Sequence, residues 1–105
     1  MAKRLDNLMA KKKAYTINGV ELELRSLTFP ELSEFSKFVE TKDTQKALDY
    51  ILFTALRNAT STDEYSDEEL RGVMESMDSK QALEIVKCVQ ELSGLVEKDS
   101  KNSKN

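Results

Sequence analysis

The segment TQKALDYILFTALRNA, Thr44 to Ala59, sets the strongest limit on how this chain can fold. Ala47, Leu48, Ile51, Leu52, Ala55 and Leu56 recur at the i, i+1, i+4, i+5 spacing that lines one side of a helix. Tyr50 and Phe53 widen that apolar face past the roughly 100° stripe of an ordinary surface helix. A helix of this kind needs neighbours on more than one side, so the spacing predicts a central helix around which the other segments pack. A chain of 105 residues suits one domain, and a hydrophobic content of 39% supplies a modest single core. The 33% of charged residues implies a helical protein with much wetted surface.

Before Thr44 the period changes. From Ala14 to Leu27, apolar Tyr15, Ile17, Val20, Leu22 and Leu24 alternate with polar residues around Asn18-Gly19. Asn-Gly is the strongest short hairpin signal, because both residues tolerate the positive φ of a type I′ turn. Val20, Leu22 and Leu24 are expected to face the helices, since a lone hairpin is marginal in water. Such a hairpin serves either as a lid over the core or as an open edge for a partner strand. Thr28 with Glu31 matches a capping box, and Pro30 fits a first helical turn. Leu32, Phe35, Phe38 and Val39 then share one face, which carries a helix to about Glu40. Thr41-Lys42-Asp43 is a polar break, and Asp43 or Thr44 caps the central helix.

Beyond Ala59 a polar loop leads to a second capping box, Ser66 with Glu69, where Asp67, Glu68 and Glu69 suit the positive end of a helix dipole. Leu70, Val73, Met74 and Met77 supply the apolar face of a third helix, weakened by Gly72. Asp78 or Ser79 caps a last helix with Ala82, Ile85, Val86, Val89 and Leu92 at helical spacing, and Leu83 and Cys88 alongside. Gly94 occupies the position after a helix end where a left-handed residue closes a Schellman motif. The fold class is therefore α+β and mostly α: a β-hairpin packed on about four helices. One domain spans 14–96, between a flexible basic segment (1–13) and a polar, disordered tail (97–105). Within the first segment, Leu5, Leu8 and Met9 stand at helical spacing among basic residues, either a frayed, solvated terminus or a short amphipathic stretch that orders on a partner or an anionic surface.

Charge and composition exclude much chemistry. There is no His, and Cys88 is the single cysteine, which removes imidazole catalysis and an intramolecular disulfide. No phosphate loop, Cys-x-x-Cys pair or calcium loop is present, so neither a catalytic residue, a cofactor nor a metal is expected. Residues 14–97 hold 8 basic against 17 acidic side chains, a local charge of −9, which repels phosphate backbones and argues against nucleic acid. No apolar run approaches the roughly 18 residues of a membrane span, and no signal peptide precedes the domain. These features point to a soluble, cytosolic protein.

The order of parts resembles the tail assembly chaperones of long-tailed bacteriophages and prophages over about residues 14–96. The likeness lies in Glu23-Leu24-Arg25-Ser26-Leu27-Thr28 running into Phe29-Pro30-Glu31-Leu32, the central "KALDYILFTAL" helix, the "SDEEL" helix start and the closing Val89-Gln90-Glu91-Leu92-Ser93-Gly94-Leu95. It implies a non-enzymatic protein of the host cytoplasm that binds the tape measure protein and helps tail tube subunits gather around it. It also implies absence from the mature virion, and a longer form made by ribosomal frameshifting in many members. The resemblance assigns no binding positions. A chaperone for a helix with exposed apolar stripes needs apolar grooves, and Phe35, Phe38, Met74 and Met77 are the candidate groove residues. The alternatives are a structural head–tail connector that remains in the particle and a small DNA-binding regulator. The residues fix no oligomeric state.

Overall fold

The computed structural model describes residues 5–60 and 63–95. It contains an antiparallel hairpin, β1 (Lys12–Ile17) and β2 (Val20–Arg25), followed by four helices. These are α1 (Phe29–Glu40), α2 (Thr44–Ala59), α3 (Asp67–Ser76) and α4 (Ser79–Leu92). The expected fold class is thus the observed one.

The hairpin register runs from Lys12 opposite Arg25 to Ile17 opposite Val20, leaving only Asn18 and Gly19 for the turn. Their φ angles are 51° and 81°, the pair of positive values a type I′ turn requires. Because side chains alternate along a strand, Tyr15, Ile17, Val20, Leu22 and Leu24 share one face. Leu24 and Ile17 are buried, and Tyr15 and Leu22 pack against the core. Val20 departs from expectation. It lies on the apolar face, yet it is 55% exposed, because the hairpin end borders an open groove.

The first strand also starts earlier than residue 14. Lys12 and Lys13 belong to β1, and the pairing extends one step further. The Ser26 N–H donates to the Lys11 carbonyl at 2.8 Å, and the Lys11 N–H donates to the Ser26 hydroxyl at 2.9 Å. The boundary drawn at residue 13 therefore moves back to about residue 11, preceded by a 3-10 turn over Asp6–Leu8. Strand pairing uses backbone groups, so two exposed lysines on an edge strand are compatible with it although they break the apolar alternation. The tail expected over 97–105 lies outside the described residues.

Each helix start is fixed by its predicted cap. The Thr28 hydroxyl accepts from the Glu31 N–H while Glu31 Oε1 accepts from the Thr28 N–H, and Ser66 and Glu69 repeat the arrangement. Asp43 and Asp78 accept from the N–H groups of Lys46 and Lys80. Two helix ends are Schellman motifs. At α4 the Leu95 N–H donates to the Gln90 carbonyl and the Gly94 N–H to that of Glu91, with Gly94 at φ 76°. At α1 the Asp43 N–H donates to the Phe38 carbonyl and the Lys42 N–H to that of Val39. Here a lysine, Lys42, takes the left-handed position at φ 61°.

α2 is the central helix its width implied, packing against β2, α1, α3 and α4. Its Ile51, Leu52, Ala55 and Leu56 join Ile17 and Leu24 of the hairpin, Leu70 of α3, and Ile85, Val86 and Val89 of α4 in one buried cluster. α4 touches both strands as well as α2, and the Ser93 hydroxyl after it accepts from the Leu27 N–H at 2.8 Å. α1 contributes no buried residue and lies on the flank of α2.

Candidate functional site

The four residues singled out for partner binding fall in two places. Phe38 packs its ring against Tyr50 of α2 with centroids 5.9 Å apart, and Phe35 packs on the core from the same helix. Both serve the α1–α2 seam and line neither of the two grooves described below. Met74 and Met77 sit together at the end of α3, half-buried against the core, and both line a groove between α2, α3 and α4. That groove holds about 450 Å³, and its floor is Leu48 and Leu52 from α2 with Ala82 and Val86 from α4. Leu83 of α4, 55% exposed, stands at its edge.

The edge is built by contacts across helices. The Arg71 guanidinium stacks over the Phe53 ring at 4.4 Å and lies 3.7 Å from Asp49, which fixes α3 on α2 beside the groove. Arg57 and Asp67 make a second α2–α3 ion pair at 2.9 Å. The rim therefore carries both signs of charge, with Arg71 among Asp49 and Glu75.

A second groove of about 460 Å³ opens on the other side of Met77, under the hairpin end. Ile17, Val20 and Leu22 form one wall, and Leu56, Val73 and Ile85 form much of the rest. Glu21, Glu64 and Asp78 are its charged residues, and no lysine or arginine among the described residues lines it. Gln81 also lines it, with an Oε1 that is buried and has no hydrogen-bond partner among the described residues. Sequence reasoning named Met74 and Met77 as groove residues but not the hairpin-side groove or the rest of either lining. Leu83 and Val20 were the available signals, apolar residues at the margin of a face that the rest of the face already fills.

The surroundings of Cys88 do not activate its thiol. Burial pushes the Cys88 thiol above its ordinary range, and the nearby Glu91 and Glu84 carboxylates push it further, so it stays protonated at neutral pH. Burial raises the Tyr15 and Tyr50 phenols in the same way. Among the described residues, no group of three or more His, Cys, Asp or Glu side chains is arranged to hold a metal ion, and no helix is long and apolar enough to cross a membrane. Comparison with known protein families, curated proteins and solved structures finds no match to this chain.

Proposed function

We propose that this chain is a phage tail assembly chaperone. It binds the tape measure protein in the host cytoplasm by reversible, non-catalytic contacts, keeps it available to tail tube subunits, and is absent from the mature virion. The observation that carries this reading is the groove between α2, α3 and α4. An amphipathic helix docks by placing apolar side chains at i, i+3, i+4 and i+7 into such a cleft. Met74 and Met77 give the cleft adaptable walls, because an unbranched thioether repacks around different side chains. A long tape measure helix presents many such stripes, and a site that tolerates several serves it better than one cut to a single sequence. The −9 charge of residues 14–97 supports the second requirement, a complex that stays dispersed while apolar surface is being covered.

The test is capture with tagged protein from cells producing the phage, with bound chains identified by mass spectrometry. The expected result is one very long helix-rich polypeptide, with or without tail tube protein, and its loss with Leu83→Asp. Recovery of portal or capsid-vertex proteins, together with this chain in purified particles, would replace the proposal with the connector.

A further inference from the structure

We infer that α1 is a strap that lifts off α2 as a unit while the rest of the fold stays closed. The core is complete without it. The buried cluster draws on the hairpin, α2, α3 and α4, and on no residue of α1. Of the half-buried apolar side chains packed on that cluster, α1 supplies Phe35 alone among the described residues. Phe38 rests on Tyr50, which lies outside the cluster, and Phe29 and Val39 are 83% and 52% exposed. Lifting α1 uncovers the seam and the patch under Phe35. It therefore costs less than any opening that parts the cluster itself.

Both ends of the strap are pinned by bonds in which α1 takes no part. Before it, Ser26 and Lys11 share two hydrogen bonds, and the Leu27 N–H donates to the Ser93 hydroxyl beyond α4. After it, the Asp43 carboxylate accepts from the Lys46 N–H and starts α2. Residues 28–42 can thus leave and return without disturbing the hairpin or α2. Three features hold them down. They are the Arg25–Glu31 ion pair at 2.9 Å, the Phe35 and Phe38 rings, and a Schellman turn closed by Lys42 at φ 61° in place of glycine. A helix of 12 residues is marginal in water by itself, so α1 melts once it lifts. The open form bares the Tyr50 flank of α2 together with Phe35 and Phe38, the aromatic side chains that the closed form keeps in the seam. In its closed form α1 is a built-in cover of that flank.

The opening is independent of the chaperone reading, because native-state hydrogen exchange reads it on the purified full chain alone. The α1 amides from Leu32 to Thr41 should exchange at least about tenfold faster than the slowest amides of α2 and α4. Their rates should also depend less on low concentrations of urea, because lifting a strap exposes less surface than global unfolding. Leu70 and Ile85 belong to the cluster where it borders the hairpin-side groove, whose lining includes no α1 residue among those described. Leu70→Ala should speed the slowest α2 and α4 amides by about thirtyfold or more. It should leave the α1 rates unchanged, since the same cluster is present whether the strap is closed or open. Ile85→Val should give the same contrast at about threefold, and keeps it readable if Leu70→Ala does not fold. Glu31→Ala, which removes the ion pair and the cap contact, should speed α1 exchange by about tenfold or more. Amides of α1 that share the rates and urea dependence of α2 and α4 overturn the inference. So do α1 rates that rise in step with the core in Leu70→Ala or Ile85→Val, or that do not respond to Glu31→Ala.

Discussion

Glu31 shows how much one carboxylate can organise. Its Oε1 accepts from the Thr28 N–H at 3.0 Å, which caps α1, and its Oε2 accepts from Arg25 at 2.9 Å, which ties α1 to the end of β2. Both partners of the ion pair are about four-fifths covered, so solvent screens it less than a surface pair. Glu31→Ala should cost about 1–3 kcal/mol in urea unfolding, more than a cap alone. Glu31→Gln should recover part of that by keeping an acceptor for the Thr28 N–H; equal losses for both variants would mean that the Arg25 contact carries all of it. Lys42 presents the opposite case. Its φ of 61° is the left-handed value that glycine adopts without strain, and no Cβ is needed there for the Schellman bonds. Lys42→Gly should therefore stabilise the protein by roughly 0.5–1 kcal/mol, less the entropy that glycine adds to the unfolded chain. A fall in the unfolding midpoint would show that the lysine side chain contributes something its backbone strain conceals.

At the scale of elements, the helices were legible because each carries its own start signal. Thr28 and Ser66 cap where their side chains predicted, Asp43 and Asp78 take the caps that Thr44 and Ser79 also offered, and Asn18-Gly19 fixes the hairpin register by leaving room for no other turn. Less legible were features that depend on what an element meets. The apolar alternation assigned Val20 to the right face but could not show that it stays largely exposed beside a groove, and it could not detect Lys12 and Lys13 in a strand held by backbone bonds. The grooves are harder still, since they are the apolar surface left over after four elements have packed around α2. Phe35 and Phe38 illustrate the difficulty: they carry the same pattern as groove residues but close the α1–α2 seam. This distinction between filled and leftover faces is measurable. Leu24 is fully buried between the hairpin and the helices, so Leu24→Ala should cost about 2–5 kcal/mol. Leu83 is apolar and helical too, yet Leu83→Asp should change stability by no more than about 0.5 kcal/mol while removing capture of the partner helix. A large stability loss at Leu83 would place it in the core and remove the α2–α4 groove as a docking surface.

For the whole molecule, three acid groups link pH to the integrity of its two seams. Cys88 of α4 helps to raise the Tyr15 phenol of β1 across the hairpin–α4 seam, while Tyr50 faces Phe38 across the α1–α2 seam. In all three, burial is the leading reason that the proton is held more tightly than usual, so each is stabilised in its neutral form by folding. The sign follows from proton counting. Above the ordinary thiol value of 9.0 the unfolded chain releases the Cys88 proton before the folded chain does, and above 10.0 it releases the tyrosine protons first. The folded state then binds more protons than the unfolded state, and stability must fall as pH rises. These groups contribute nothing to pH dependence below those values, where both states are protonated. Urea midpoints measured from neutral pH upward should therefore begin to drop near pH 9.0 and drop more steeply past 10.0. The triple variant Cys88→Ala/Tyr15→Phe/Tyr50→Phe should start from a lower or equal stability but lose less of it over that range, because the groups that ionise have gone. An unchanged alkaline slope in that variant would leave the two seams without a role in it.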